Sequence, residues 1–288
     1  MTVLVTGAHG QLGREIVRVF APFGPVVSLT RRDLDITDHQ AVLRVVGGAS
    51  PDVIVNCAAY NNVDGAEDEP VIAMQVNGFA VRSLAEGARQ TGARLVHYST
   101  DFVFDGRAAR AYEETAVPGP QSVYATSKLL GEWFARQAPS WFVLRVESLF
   151  GGGAEPVVAG SRRLGSTLDR MVDAMLTGRP VQGFTDRIVS PSYVPDVAAA
   201  TVALVSRLAD DGLYHCVNTG QASWFTVAQR AARRLGCESQ LSPITMSTVT
   251  ARAARPQFCA LSNRKLVTAG VEMPPWEDAL DRYLASRR

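Results

Sequence analysis

The sequence predicts an α/β fold in which helices cover both faces of a parallel β-sheet. Short apolar runs of β-type residues recur through the first 150 positions, and segments with helical spacing of apolar residues separate them. This alternation indicates parallel strands that are joined by helical crossovers. The third run, residues 51–59, is apolar enough to be buried on both faces, as a central strand of such a sheet must be.

Composition and charge exclude several classes of protein. The chain of 288 residues is 47% hydrophobic and 20% charged, which suits one large domain or two packed ones. Its formal net charge is +1 and like charges do not cluster, so neither a nucleic-acid partner nor an anionic membrane surface is expected. No apolar run approaches a membrane span, and the N-terminus is typical of a strand, not of a signal peptide. We therefore expect a cytoplasmic protein.

The cysteines and histidines predict neither disulfides nor a metal site. The cysteines lie far apart without any C-x2-C pair, so we expect them to be reduced. The histidines lack the spacing of metal ligands. These residues are Cys57, Cys216, Cys237, Cys259, His9, His39, His97 and His215.

A glycine-rich turn follows the first predicted strand, Val3–Val5. Apolar residues then recur at helical spacing from Leu12 until Gly24 and Pro25 stop the helix. A tight turn between strand and helix lets the backbone approach a pyrophosphate and points the helix N-terminus at the anion. A plain strand-to-helix turn remains the alternative, because the spacing is Gly-x2-Gly-x2-Gly. The predicted cofactor contacts here are Gly7, His9, Gly10, Gln11, Leu12 and Gly13.

The end of the second predicted strand, residues 26–29, bears on the choice of cofactor. Arg31 and Arg32 stand where many NAD sites have an acidic residue, and two guanidinium groups suit the 2′-phosphate of NADPH. NADH stays open, since a solvated loop explains both arginines as well. Asp35 and Ile36 are predicted to border the adenine, and Thr37 or Asp38 to cap the next helix.

The third strand ends in small residues that let a cofactor lie against the backbone. We predict cofactor contacts at Ala58, Ala59 and Tyr60, and a polar loop over residues 60–70 at the edge where doubly wound sheets bind ligands. A long helix is predicted over residues 71–91. Its Asn77 is surrounded by apolar residues, so we expect Asn77 to face the sheet and hold backbone near the site.

The fourth strand, residues 94–100, delivers Thr100 to the same edge, and a helix capped by Ser122 carries Tyr124 and Lys128. The four-residue spacing places the phenol and the ammonium on one helical face. The ammonium should lower the tyrosine pKa toward neutrality, and Thr100 could hold the same substrate oxygen. A surface pair without a role is the alternative. The predicted catalytic residues are Thr100, Tyr124 and Lys128.

After the fifth strand, residues 141–146, the pattern changes to shorter elements. We predict a loop at 160–165, helices at 166–177, 225–235 and 275–285, strands at 181–184 and 213–218, and an alanine-rich helix ending near residue 208. The fold class is thus a Rossmann-type doubly wound parallel sheet with a smaller C-terminal α/β substrate-binding part. Residues 1–150 form the NAD(P)-binding domain, rejoined by 186–218, and residues 151–288 are mainly substrate-binding.

Seven segments together resemble the extended short-chain dehydrogenase/reductase superfamily and, within it, the dTDP-4-dehydrorhamnose reductase family. The Ser-Thr-Asp-aromatic-Val-Phe run with a downstream Tyr-x3-Lys is specific to this branch. The segments cover nearly the whole chain and are residues 6–13, 52–59, 63–67, 97–106, 124–132, 190–196 and 255–263.

The resemblance implies NADPH- or NADH-dependent reduction of the 4-keto group of a nucleotide-linked deoxysugar, with a dTDP-linked substrate. Separately, the helices before and after the sheet could form a homodimer. The resemblance also implies that Tyr124 protonates the carbonyl oxygen, that Thr100 positions this oxygen and that Lys128 binds the nicotinamide ribose. Hydride chemistry belongs to the cofactor. The implied substrate-binding residues are Val63, Asp101, Phe102, Glu147, Ser148 and Arg255.

The sequence departs from the family pattern at positions where members of the family contact the sugar. Glu147 and Ser148 replace the Ser and Trp of the usual Arg-Thr-Ser-Trp run, Phe102 replaces a usual Tyr, and Val189 replaces a Gly. The catalytic residues are kept while these residues differ. This combination favours reductase chemistry on a different sugar nucleotide.

Two other functions remain open on the sequence. A cofactor-retaining epimerase or dehydratase would recycle its hydride, but a dehydratase usually needs two carboxylates beside the tyrosine, and Thr100-Asp101 offers one. A non-catalytic nucleotide-binding regulatory subunit is the third hypothesis, although intact Thr100, Tyr124 and Lys128 argue against it.

Overall fold

The computed structural model describes residues 1–152, 165–207 and 209–287. Most of the loop predicted at 160–165 therefore lies outside the described residues. The first half contains β1 (Val3–Thr6), α1 (Gln11–Phe20), β2 (Val26–Leu29), α2 (His39–Ala49), β3 (Val53–Asn56), α3 (Val63–Asp68), α4 (Pro70–Met74), α5 (Ala80–Thr91), β4 (Arg94–Thr100), α6 (Val123–Ala135) and β5 (Ser140–Val146).

Shorter strands and five helices follow in the second half of the described chain. They are β6 (Leu149–Phe150), α7 (Thr167–Leu176), β7 (Val181–Phe184), β8 (Ile188–Val189), β9 (Ser192–Tyr193), α8 (Val194–Ser206), β10 (Gly212–His215), β11 (Ala222–Ser223), α9 (Trp224–Leu235), β12 (Leu241–Ile244), α10 (Arg264–Thr268) and α11 (Trp276–Ala285).

Six parallel strands form the central sheet in the order β10-β5-β4-β3-β1-β2. The chain runs outward from β1 to β2 and then crosses back to β3 on the other side of β1. The carboxyl ends of β1 and β3 therefore flank a topological switch point, which is where open α/β sheets bind ligands. The predicted fold class is confirmed, and β10 shows that the chain returns to the sheet after its excursion.

Apolar side chains pack both faces of this sheet. Ile16 of α1 and Val197 of α8 are fully buried on one face, and Val46 of α2 and Leu84 of α5 on the other. A further apolar cluster joins α7, α9 and α11 beside the sheet. The assignment of this second part to substrate binding stays a prediction. None of the described helices is long and apolar enough to cross a membrane.

One prediction about the segment after β3 is wrong. The predicted polar loop at 60–70 contains α3, which Asn62 caps by accepting a hydrogen bond from the Gly65 N–H at 3.0 Å. The prediction of a helix at 71–91 is confirmed, since α4, a π-helical turn at Gln75–Phe79 and α5 follow one another without a break. Such turns are rare and occur often at functional sites, and this one contains Asn77.

Candidate active site

The glycine turn after β1 forms a cradle that side chains would fill. Gly7 has a φ of 65°, and a Cβ added there would lie 2.6 Å from the Ala58 nitrogen at the end of β3. A Cβ at Gly13 would lie 2.2 Å from the Gly7 carbonyl oxygen. Within the described residues no side chain caps α1 after Gly10, so the first N–H groups of this helix are available to an anion.

The other predicted contacts of this turn differ in what they can offer. Leu12 is buried in the core and His9 is exposed. Gln11 donates a hydrogen bond to Asp169 of α7 at 3.3 Å, so its side chain ties α1 to the second half of the chain. Leu12 can therefore serve a ligand only through its backbone.

The end of β2 lies against the glycine turn, since the Ala8 N–H donates to the Leu29 carbonyl oxygen at 3.1 Å. Arg31 and Arg32 follow and are exposed at this edge, as a 2′-phosphate site requires. The Asp35 carboxylate accepts hydrogen bonds from the backbone and hydroxyl of Thr37 at 3.0 and 2.7 Å.

Ile36 can border the adenine only through its backbone. Its side chain is 8% exposed and packs in the core with Leu4 and Ile54. The adenine contacts stay a prediction. Asp38 caps α2 by accepting from the Ala41 N–H at 2.9 Å, which settles the alternative between Thr37 and Asp38.

Asn77 fixes the backbone beside Ala58 and Ala59, as the sequence predicts. Its Oδ1 accepts from the Tyr60 N–H at 2.8 Å, and its Nδ2 donates to the Tyr60 carbonyl oxygen and to Ser127 Oγ at 3.1 and 2.9 Å. Ser127 Oγ donates in turn to the Tyr124 carbonyl oxygen at 2.7 Å. Asn77 thus joins the β3 loop to the first turn of α6.

Thr100, Tyr124 and Lys128 come together at the carboxyl edge of the sheet, and all three are buried. The Thr100 hydroxyl donates to Asp101 Oδ1 at 2.9 Å and also interacts with the Tyr124 phenol. Lys128 lies one turn after Tyr124 and donates from Nζ to the Tyr98 carbonyl oxygen at 2.6 Å. Ser122 caps α6, as predicted, by accepting from the Ala125 N–H at 3.2 Å.

The prediction that Lys128 lowers the Tyr124 pKa is wrong for this arrangement. Burial and the Asp101 carboxylate raise the Tyr124 pKa, against a smaller opposing effect of Thr100. Burial also lowers the pKa of Lys128 to about 8, while Glu132 and Cys57 favour its charge. The phenol therefore holds its proton firmly at neutral pH, which is the state that a proton donor needs.

A second carboxyl group lies beside Asp101, which corrects the expectation of one acid at this site. Glu147, at the end of β5, is 1% exposed, and polar atoms of Glu147, Asp101 and Cys259 all lie within 4.8 Å of one another. Glu147 Oε2 accepts from the Ser190 N–H at 2.8 Å. Burial and Asp101 raise the pKa of Glu147, and burial raises the pKa of Asp101.

Two of the remaining predicted sugar-site residues pack beside the Tyr124 ring. Phe102 packs edge-on against Tyr124 with ring centroids 5.8 Å apart, and Val63 joins the same apolar cluster. The Arg187 guanidinium lies over the Phe102 ring, 5.5 Å from its centroid. Ser148 has a φ of 49°, a strained backbone conformation of the kind found at functional sites.

Arg255 reaches the site edge but is held by an ion pair. Its two terminal nitrogens donate to the Asp64 carboxylate of α3 at 2.9 and 2.6 Å. This pairing lowers the pKa of Asp64 to about 2. Arg252 pairs with Asp68 of the same helix. A substrate diphosphate would have to compete with Asp64 for the Arg255 guanidinium.

Sequence reasoning missed two buried charges behind the site. Arg145 of β5 donates from Nε and Nη2 to the two carboxylate oxygens of Glu132 at 2.7 and 2.8 Å, and both side chains are buried. Glu132 lies one helical turn after Lys128. A charged residue inside a strand as apolar as 141–146 is the signal that points to such a buried partner.

The residues at the carboxyl ends of β1, β2 and β3 suit the binding of a dinucleotide. The Gly7 cradle, the open N-terminus of α1 and the exposed arginines after β2 match a pyrophosphate and a 2′-phosphate. Lys128 lies near Cys57, and the Cys57 backbone borders the Gly7 cradle. A nicotinamide ribose could therefore reach Lys128 from the switch point.

Comparison with known proteins agrees with this geometry. Residues 1–288 match the family described as RmlD substrate binding domain. The chain is 33% identical over 287 residues to the spore coat polysaccharide biosynthesis protein SpsK of Bacillus subtilis, covering 99% of this chain and 97% of that protein. It is 36% identical over 286 residues to dTDP-4-dehydrorhamnose reductase of Streptomyces griseus, covering 96% of this chain and 91% of that protein.

A solved structure extends the likeness to the fold. The crystal structure of dTDP-4-dehydrorhamnose reductase from Bacillus anthracis strain Ames, in complex with NADP, superimposes with a TM-score of 0.91. Its sequence is 30% identical, and the alignment covers 99% of both chains.

Proposed function

Because the chain belongs to the RmlD substrate binding domain family, we propose that it is an NADPH-dependent oxidoreductase that reduces the 4-keto group of a dTDP-linked deoxysugar. The observation that carries this proposal is the meeting of Thr100, Tyr124 and Lys128 at the sheet edge that also holds the glycine cradle. The reductases among its relatives support the same reaction.

The chain's own residues orient the reactants and move the proton. NADPH supplies the hydride when it is bound. Tyr124 donates its phenolic proton to the carbonyl oxygen, and Thr100 holds that oxygen with its hydroxyl. Lys128 binds the nicotinamide ribose through its ammonium group. The raised pKa of Tyr124 keeps the proton in place until the carbonyl oxygen becomes basic.

We assign cofactor contacts to the turn and loop residues that line the switch point. The backbone of the glycine turn and the N-terminus of α1 hold the pyrophosphate, and Asp35 borders the adenine. Asn77 acts through Tyr60, because its amide is bonded to protein groups. On the substrate side, Val63, Phe102 and Ser148 border the sugar. Arg255 releases the Asp64 carboxylate and binds the substrate diphosphate in its place.

Replacing Arg31 and Arg32 by alanine should weaken NADPH binding about tenfold to a hundredfold and change NADH binding by less than about twofold, since only NADPH carries the 2′-phosphate. Nicotinamide fluorescence titrations measure both affinities. Arg89→Ala, at the end of α5, is the matched control and should leave both unchanged. Equal losses for the two cofactors would remove the 2′-phosphate assignment.

Hydride transfer separates the proposed reduction from its alternatives. With nicotinamide that is deuterated at C4, a ketoreductase places deuterium on the sugar C4 and consumes one NADPH per product. An epimerase or dehydratase that retains its cofactor recycles the hydride and consumes no NADPH. The Asp101 and Glu147 carboxyl groups suit such a reaction. A regulatory subunit binds the cofactor and forms no product. NMR of the sugar distinguishes the three.

We also propose that two copies of the chain pair through an exposed apolar surface on α4, the π-helical turn and α6. Val71 is 65%, Phe79 50% and Trp133 60% exposed. The buried Phe134 lies against both rings, with its ring centroid 5.8 Å from that of Phe79 and 4.9 Å from that of Trp133. Exposed aromatic patches of this kind are typical of protein interfaces.

Trp133→Glu should convert this dimer into a monomer, because a carboxylate at the centre of an apolar interface loses its solvation. Analytical ultracentrifugation measures the mass. Val117→Glu changes an exposed valine outside the patch and should leave the dimer intact. A monomeric parent protein at micromolar concentration would contradict the proposal.

A cytoplasmic location is part of the proposal. It is supported by the need for NADPH and by the four cysteines, all within the described ranges, which are free thiols.

A further inference from the structure

Glu147 is the buried group in the site whose role the reduction does not explain. Its Oε2 accepts from the Ser190 N–H, but its Oε1 is buried without a hydrogen-bond partner among the described residues. An ionised carboxylate with a bare buried oxygen is costly. A proton on Oε1 removes the charge and turns this oxygen into a donor.

The charged groups around Glu147 favour one bound proton in this buried cluster. Asp101 and Arg187 act on it electrostatically, Cys259 lies within the same 4.8 Å cluster, and Tyr124 faces Asp101. Two ionised carboxylates beside one guanidinium would leave a net negative charge in a buried cluster. One proton shared by the two carboxyl groups makes the cluster neutral.

A continuous set of polar groups links this pair to the proton donor. Glu147 and Asp101 have carboxylate oxygens no more than 4.8 Å apart, a separation that a proton crosses directly or by way of one water molecule. Asp101 Oδ1 accepts from the Thr100 hydroxyl at 2.9 Å, and Thr100 interacts with the Tyr124 phenol. The order along this path is Glu147, Asp101, Thr100, Tyr124.

We propose that Glu147 and Asp101 form a proton reservoir, which holds one proton between the two carboxyl groups and returns it through the Thr100 hydroxyl to Tyr124 after each reduction. This inference rests on the proposed ketoreductase function. Glu147 is a positioning and proton-supplying residue behind Tyr124, and it need not touch the sugar.

The relay balances in atoms and charge. The phenolic O–H bond of Tyr124 breaks as the alcohol O–H bond of the product forms, which leaves a phenolate. The phenolate takes the hydroxyl proton of Thr100 while the Thr100 oxygen takes a proton from Asp101. Glu147 passes its proton to Asp101, and one solvent proton refills the pair. No electrons move in the relay.

Infrared spectroscopy of the full-length protein tests the stored proton without any substrate. We expect the carbonyl band of a protonated carboxyl group near neutral pH, and its loss in Glu147→Gln, which keeps the size of the side chain and the oxygen that faces Ser190. Glu114→Gln is the matched control, because burial also raises the Glu114 pKa, while the Glu114 carboxylate accepts from the His215 N–H of the edge strand β10. Absence of the band, or a band unchanged in Glu147→Gln, overturns the proposal.

Rapid-mixing kinetics test the delivery of the proton. In Glu147→Gln the later turnovers at alkaline pH should be about tenfold slower than the variant's own first turnover, which uses the proton already on Tyr124. A first turnover slowed as much as the later ones indicates a structural role and overturns the proposal. Glu147→Met, which also removes the carboxyl group, replaces the variant if Glu147→Gln does not fold.

The two proposals fail in different ways. If no ketosugar is reduced by the parent protein, the proposed function is wrong, and the infrared band still decides whether the pair stores a proton. If the parent protein reduces a ketosugar and Glu147→Gln matches it in every turnover, the reservoir alone is wrong.

Discussion

Tyr124→Phe lowers the rate of ketone reduction by about 10²- to 10⁴-fold, the usual contribution of a positioned general acid, and leaves NADPH binding nearly unchanged. The variant loses only the phenolic oxygen, while the ring keeps its edge-on contact with Phe102. Steady-state kinetics and fluorescence titration measure the two effects separately.

Tyr214→Phe is the control for this experiment. The Tyr214 hydroxyl donates to the Asp210 carbonyl oxygen at 2.7 Å, and Tyr214 lies on β10, at the far edge of the sheet from the glycine turn. Its loss should leave turnover intact. A Tyr124→Phe variant as active as the parent would remove Tyr124 as the proton donor.

Arg145→Met destabilises the protein by about 3–5 kcal/mol, because it leaves the Glu132 carboxylate buried without its partner. Both carboxylate oxygens of Glu132 accept from Arg145, and Oε1 also accepts from Ser99 Oγ at 2.6 Å. The Arg145 guanidinium also lies 4.8 Å from the Phe104 ring centroid. Chemical denaturation measures the change in the free energy of unfolding.

Two variants separate the buried charge from other effects of Arg145→Met. Arg136 also approaches Glu132, but its side chain is 47% exposed, so Arg136→Met should cost less than about 1 kcal/mol. The double variant Glu132→Gln with Arg145→Met removes the uncompensated charge and should recover part of the lost stability. Equal destabilisation by the single and double variants would assign the loss to packing.

The regular elements could be predicted from the sequence because local signals mark them. Apolar runs place β1 to β5, and the Asp38 and Ser122 caps mark α2 and α6. The six-residue α3 is too short to show helical periodicity, so only its cap at Asn62 could reveal it. The strands β8 and β11 have two residues each and exist only through their mutual pairing.

The candidate site could be predicted in part. Tyr124 and Lys128 share one helix, and their spacing alone places them together. Burial, and not the neighbouring ammonium, has the largest effect on the Tyr124 pKa. Burial depends on the tertiary fold, which the spacing of two residues does not reveal. Asp101 and Glu147 are 46 residues apart in sequence and meet because β4 and β5 end side by side. Pairing of this kind depends on the register of the sheet.

The most direct test of the proposed reductase is multiple-turnover oxidation of NADPH. The purified protein, at substoichiometric concentration, is mixed with NADPH and a dTDP-4-keto-6-deoxysugar, and the absorbance of the reduced nicotinamide is followed. We expect many equivalents of NADPH to be consumed per protein, with one reduced sugar formed for each. NADPH that binds but is never oxidised beyond one equivalent, with any ketosugar of this class, would contradict it.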